Sequence, residues 1–169
     1  PDALRIQQNY GVPAGVSLGM SALESGWGVS ELSKVYNNYF GMSKGSSWSG
    51  QTVARQDWYI NSQGVKIYYT QYFRVYQSPQ DSFNDFGKVI KSGYPKAFKY
   101  SDPVQFVNSL LTEHTWSDGK PKRYADDPEY LKKFSKVYDI IAPQIPSAPV
   151  YTGFGSGILL ILLMLGFAV

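Results

Sequence analysis

The chain has 169 residues, with 16 Lys and Arg against 13 Asp and Glu, for a net charge of +3. That length suits one compact domain plus an appendage, and a surplus so small gives no case for a nucleic-acid partner, of which no motif is present. With no cysteine, a single histidine and no phosphate-cradling glycine loop, disulfide frameworks, thiolate or multi-histidine metal sites and nucleotide cradles are excluded; no metal or cofactor is expected.

The first residues show no basic stretch followed by an apolar core, so no signal peptide is visible. Ala3 to Tyr10 reads as a short amphipathic helix. Pro13 suits a first helical turn, and Val16, Leu18, Ala22 and Leu23 supply an apolar body up to Glu24. Ser30 starts a short helix through Val35, which Asn37 and Asn38 break. Residues 44 to 76 change character: Gly, Ser and Gln are frequent, and Val65, Ile67 and Tyr69 alternate. This predicts a β-hairpin with its turn near Asn61-Ser62-Gln63-Gly64.

Helices then return, each with a start signal. Ser78-Pro79 precedes Phe83, Phe86 and Ile90; Asp102-Pro103 precedes Phe106, Leu110 and Leu111; Asp127-Pro128 precedes Leu131, Phe134, Tyr138 and Ile141. Each pairs a capping side chain with proline at the first helical position, and the apolar spacing of three and four turns one face of each helix to a common core. The fold class expected is α+β, mainly α: a helical domain over residues 1–142 with a small β-hairpin lobe. Pro143, Pro146 and Pro149 make 143–152 a stiff, extended linker. From Val150 the chain carries no charge for 20 residues and ends GILLILLMLGFAV. That is about the length an α-helix needs to cross a bilayer, so 153–169 is expected to be a C-terminal hydrophobic helix acting as a transmembrane segment, with the lipid bilayer as a partner. A shorter buried or amphiphilic helix is the alternative.

Ala22-Leu23-Glu24-Ser25-Gly26-Trp27-Gly28 is the stretch with the most chemistry in it. It puts one carboxyl at the end of an apolar run, where Gly26 can stop the helix and a cleft can open. Glu24 is either a solvated helix-end charge or a half-buried acid whose raised pKa lets it carry a proton near neutrality.

Together with Asn37-Asn38-Tyr39-Phe40-Gly41, that stretch resembles the start of the bacterial and phage endo-β-N-acetylglucosaminidases of glycoside hydrolase family 73. Two further stretches match in order. Phe73-Arg74-Val75-Tyr76-Gln77-Ser78 with Ser82 and Asp85 is similar to one family motif, and Arg123-Tyr124-Ala125-Asp126-Asp127-Pro128 with Tyr130 to another. The resemblance covers roughly residues 10 to 142. It implies a lysozyme-like fold, a cleft between helical and β lobes, and peptidoglycan glycan strands as substrate; the mild basicity and 16% aromatic content suit an anionic wall and sugar-stacking grooves. It carries the role of general acid to Glu24. Family members place a second carboxylate on the β-lobe, often a Glu. Asp57, the sole acid between Glu31 and Asp81, takes that position by default, one methylene shorter; a solvated charge beside Arg55 is the other reading. Either Asp57 activates water and the reaction inverts, or the substrate's own N-acetyl group is the nucleophile. Tyr124 matches the family tyrosine near the reacting sugar and is expected to orient the acetamido group or stabilise positive charge.

Asn38 and Phe40 fall in the Asn-Asn-Tyr-Phe-Gly match as substrate-side residues, Phe40 as core or cleft wall. Trp27, Trp48 and Trp58 are candidates for stacking on sugars, with Trp27 alternatively packed beneath Glu24. His114 reads as a surface histidine at a helix end, Glu113 as a weaker alternative acid, and Asp126 and Asp127 as helix caps. The expected activity is hydrolysis of the β-1,4 bond after N-acetylglucosamine by a membrane-anchored protein facing the wall, either a phage virion-associated lysin, which the organisation favours, or a bacterial remodelling enzyme. A lysozyme or lytic transglycosylase, and a non-catalytic wall-binding or membrane-penetration protein, are the rivals. Oligomeric state is left open.

Overall fold

Helix α1 (Asp2–Tyr10) opens the fold and α2 (Ala14–Ser25) follows after a three-residue break. The computed structural model describes residues 2–46 and 48–146. Pro13 is the residue before α2, not its first turn, and offers no capping side chain; the Gln7 side-chain oxygen from α1 instead accepts the Ala14 N–H at 2.8 Å. Helix α3 (Glu31–Tyr36) is capped by Ser30, whose hydroxyl accepts from Ser33 N, and ends at Asn37 in the left-handed conformation (φ 52°). The hairpin expected from the alternation is β1 (Thr52–Ile60) with β2 (Lys66–Arg74), antiparallel with Trp58 opposite Tyr68. Asn61 shapes its turn, the side-chain oxygen accepting from Gln63 N and Val65 N.

Ser78 caps α4 (Pro79–Gly93) and Asp102 caps α5 (Pro103–Thr112), each with proline in the first turn. The third start signal works differently. Helix α6 (Tyr130–Ile141) begins beyond Pro128; Asp127 accepts from Glu129 N in the preceding turn and pairs with Lys133. A second hairpin, β3 (His114–Thr115) with β4 (Pro121–Lys122), follows α5. Two-residue strands are too short to show alternation, so the sequence does not announce them.

Helices α1, α2, α4, α5 and α6 surround one core, in which Ile6, Val16, Met20, Phe86, Ile90, Phe106, Leu110 and Phe134 are essentially inaccessible to solvent. α2 approaches α6 closely because Gly19 faces the Phe134 ring: a Cβ there would lie 2.6 Å from Phe134 Cε2. The packed body runs past residue 142. Ala142–Gln144 form a 3-10 turn that includes Pro143, and Ile145 packs on the core, so the first part of the expected linker belongs to the domain. The rest of the linker and the expected membrane segment, 153–169, lie outside the described residues. Among the described residues no helix is long and apolar enough to cross a membrane.

Candidate active site

Glu24 sits in the last turn of α2, which ends in a run of left-handed backbone: Gly26 (φ 58°), Trp27 (φ 64°) and Gly28 (φ 78°). Glycine takes this conformation freely, whereas Trp27 is held there against its preference. The turn is pinned by Trp27 N and Gly26 N donating to Ala22 O and by Gly28 N donating to the Ser25 hydroxyl, itself bonded to Ser21 O. The chain thereby leaves the helix at once, and the carboxyl of Glu24 remains at the rim of the core.

It borders a cleft of about 300 Å³ lined by Glu24, Phe40 to Ser43, Val89, Tyr94, Tyr124 and Ala125. Gly41 (φ 58°) runs beside the acid; a Cβ on it would meet Glu24 Oε2 at 3.8 Å. On the core side, the Tyr130 hydroxyl donates to Glu24 Oε1 at 2.7 Å. Burial raises the pKa of Glu24, and the Tyr130 hydrogen bond opposes it by favouring the carboxylate. Burial also raises the Tyr124 phenol well above its ordinary range, with the Glu24 charge adding to it. Tyr124 stands among aromatic rings, 6.1 Å from Tyr130, 6.2 Å from Phe86 and 6.3 Å from Tyr94 by ring centroids. The site is therefore a half-buried carboxyl in an aromatic, low-dielectric setting, disposed to keep a proton that an exposed glutamate loses. Among the described residues, no group of three or more His, Asp or Glu lies together as a metal would need.

A family model named Glucosaminidase, described as mannosyl-glycoprotein endo-beta-N-acetylglucosaminidase, matches residues 1–142. The chain belongs to that family. Its relatives include the autolysin of Enterococcus faecalis, 35% identical over 159 residues, which cover 89% of this chain and 21% of the autolysin. The peptidoglycan hydrolase FlgJ of Vibrio parahaemolyticus is 29% identical over 143 residues, 81% of this chain and 43% of FlgJ. The catalytic domain of the autolysin Auto from Listeria monocytogenes has the same fold, with a TM-score of 0.67 at 24% identity over 83% of this chain and 78% of that one. The chain thus spans between a fifth and less than half of the length of these two curated relatives. As a glucosaminidase-family domain it is a glycoside hydrolase, and its mainly helical α+β architecture is the one the motifs imply.

Within this glucosaminidase domain the expected residues divide. Glu24, Phe40 and Tyr124 line one cleft. Phe40 is its buried wall, stacked on Phe86 at 4.0 Å. Asn38 is 1% exposed; its amide donates to Met42 O and Arg74 O and accepts from Met42 N. Its bonding is spent on shaping the loop that carries Phe40 to Ser43, so it holds the wall from behind. Trp27 is 54% exposed and so does not pack beneath Glu24. Trp48 lies outside the lining, donating to Gln51 O, with its ring edge on Tyr76 and the Arg74 guanidinium over it. Trp58 is exposed on the hairpin with the Lys66 ammonium 3.9 Å from its ring centre. Asp57 is also exposed on β1, accepting from the Tyr69 hydroxyl at 3.0 Å and from Trp58 N, and is not part of the cleft lining. It shares a strand face with Arg55, which pairs with Glu31 of α3.

His114 is a correction: it is 6% exposed, its Nε2 accepting from Lys96 N and its Nδ1 bonded to Ser109 O, and it backs the cleft residue Tyr94 edge-on. Glu113 is engaged by Tyr100 and Lys99, away from the cleft lining. The cleft residue Tyr94 and Tyr130, which bonds Glu24 from the core side, carry no site signal of their own in the sequence; Tyr130 stood in a matched motif, which was the available clue. The other motif proves to be architectural. Arg74 and Tyr76 both bond Asp85 of α4, Arg74 also donates to Ser43 O, Ser78 caps α4, and Ser82 accepts from Tyr39 N. Those residues fasten hairpin, loop and α4 together.

Proposed function

We propose that this chain hydrolyses the β-1,4 bond following N-acetylglucosamine in peptidoglycan glycan strands, with Glu24 as general acid. The observation that carries this is the Glu24 carboxyl, half-buried at a cleft rim, bonded by Tyr130 and flanked by Tyr124. The names of the relatives, an autolysin and a peptidoglycan hydrolase, support the choice of wall glycan. Glu24 delivers its proton to the glycosidic oxygen as the bond to the anomeric carbon breaks. For the second group, the lining favours Tyr124 over Asp57. The acetamido oxygen of the substrate attacks the anomeric carbon, its group oriented by the Tyr124 phenol; water then opens the cyclic intermediate and returns a proton to the Glu24 carboxylate. This route retains the anomeric configuration.

Digestion of purified peptidoglycan followed by reducing-end analysis tests the reading. Products ending in reducing N-acetylglucosamine are expected, and Glu24→Gln should abolish them while the protein still folds. Reducing or anhydro N-acetylmuramic acid would assign the other bond. Tyr124→Phe should lower kcat by about 10²-fold or more, and Asp57→Asn should leave it within a few-fold; the reverse pattern, with an inverted product, would give the second role to Asp57. We further propose that the uncharged run 150–169 anchors the enzyme in a bilayer facing the wall, a phage virion being one such setting; the support is its sequence alone. Removing 150–169 should release the protein from detergent-dependent membranes without loss of hydrolysis, and an intact chain that stays in the aqueous phase would overturn the anchor.

A further inference from the structure

The hairpin has two unlike faces. Cross-strand partners share a face and neighbours along a strand alternate. On the face carrying Arg55 and Asp57, Arg55 pairs with Glu31 and lies over Tyr36 of α3, and Val53, Ile67, Gln71 and Phe73 are half-buried; Tyr59 and Tyr69, exposed towards its tip, pack on each other and Tyr69 bonds Asp57. On the opposite face, every residue from the Ala54–Tyr72 pair out to the Ile60–Lys66 pair is exposed. Among these are three large aromatic side chains: Trp58 at 50%, Tyr68 at 62% and Tyr72 at 50% exposure. None of them lines the cleft around Glu24. Half-exposed aromatics gathered on one strand face signal a surface with a partner, because burial of such rings is what folding ordinarily secures.

We propose that this face is a second glycan-binding site, holding a wall strand outside the catalytic cleft; the proposal rests on wall glycan being the substrate. Two features select that occupant over a second copy of the chain or a lipid surface. The first is the layout. Trp58 stands opposite Tyr68, and Tyr72 follows four residues along β2, about 13 Å away at the usual strand rise. The rings thus form a row longer than one sugar, with Thr70 between the tyrosines and Gln56 beside it to take hydroxyl and acetamido hydrogen bonds. The flat apolar face of a pyranose with a polar rim matches such a row. The second is charge. Lys66 reaches over the Trp58 ring at 3.9 Å and stands 5.2 Å from the Tyr68 ring, and Lys44 joins Thr70 and Tyr72 around a shallow hollow at the base. No carboxylate lies on this face; Asp57 is on the other. Peptide stems on wall glycan carry carboxylates, so a cationic, aromatic face suits a strand bearing them. Asp57 aside, the arrangement separates holding the wall from cutting it: the strand face grips one part of the polymer while the cleft addresses another.

Binding is measured on the full chain carrying Glu24→Gln, so that the wall is not digested, by co-sedimentation with purified insoluble sacculi. Tyr68→Thr with Tyr72→Thr keeps strand propensity and should weaken binding at least tenfold, and Lys66→Gln should remove part of its salt sensitivity. With Glu24 intact, the same double variant should clear sacculi more slowly, yet hydrolyse a short soluble glycan fragment at the parental rate. Equal sacculus binding by parent and double variant would overturn the proposal, as would a dimer in sedimentation velocity that the double variant abolishes. Loss of soluble-fragment hydrolysis in the double variant would also overturn it, by making the face part of the cleft or of the fold. If the parent hydrolyses neither substrate but binds sacculi through this face, the proposed activity fails and the binding site stands; if it hydrolyses the fragment and binds no sacculi, the reverse holds.

Discussion

Replacing Tyr130 by phenylalanine removes one oxygen from the structure and, with it, the 2.7 Å hydrogen bond to Glu24 Oε1. The ring keeps its place, since Tyr130 is 5% exposed and part of the core. A hydrogen bond to a charged group is worth about 1.5–3 kcal/mol and one to a neutral group about 0.5–1.5 kcal/mol. The loss therefore falls harder on the carboxylate than on the carboxylic acid, by about 1 kcal/mol, or roughly fivefold in the ratio of the two forms. Burial already raises the Glu24 pKa and the Tyr130 bond restrains it, so the variant's acid should titrate higher still. In the proposed mechanism the protonated form is the active general acid, so the alkaline limb of the kcat/KM profile should move to higher pH. On the plateau below it, where both proteins hold the proton, the variant should be slower by about tenfold, since its acid has lost the contact that aims it. Initial rates on soluble glycan fragments across the acidic to mildly alkaline range give both numbers. An alkaline limb that stays put or moves to lower pH would refute the reasoning, because it would mean the Tyr130 hydroxyl does not favour the charged form of Glu24.

Glu24 also bears on stability. Its pKa in the folded state is raised above the unfolded value, so its contribution is fully present below the unfolded pKa and is lost as pH rises through the folded one. Glu24→Gln should accordingly melt higher than wild type at neutral pH, with the gap closing in acid; thermal melts at both ends of that range decide it. Asp85→Ala strands the Arg74 guanidinium, which is 10% exposed, and takes the acceptor of Tyr76; a loss of about 3–5 kcal/mol in denaturant midpoint analysis is expected. Gly19→Ala puts a methyl 2.6 Å from Phe134 Cε2, and overpacking of that kind should cost about 1–3 kcal/mol in a thermal melt.

The helical part of the fold was legible because its signals are local. Ser30, Ser78 and Asp102 each supply the capping oxygen that the spacing implied, and Asn61 with Gly64 turns the hairpin where the alternation breaks. Asp127 resembled those caps, but its oxygens serve Glu129 N and Lys133, and the helix starts at Tyr130. The candidate site was legible only where a single residue marks it. Glu24 stood out beside Gly26 and Gly28; Tyr130 reaches it across 106 residues of sequence, and no periodicity encodes a contact of that kind. The tryptophans could not be placed from sequence for the same reason. Composition marks them as sugar-stacking candidates, yet whether a ring meets the cleft, a guanidinium or water depends on neighbours distant in the chain, as Trp48 under Arg74 and Trp58 under Lys66 show.

The Arg74–Asp85–Tyr76 fastening has an evolutionary corollary. Those side chains maintain the scaffold, and no bond of the fastening passes through Glu24, the proposed acid. Selection can thus retire the acid and keep the shape. On the proposed mechanism, descendants with an intact Phe-Arg-x-Tyr signature and no glutamate at this position would keep the fold, recognisable by family yet silent in any assay of cleavage.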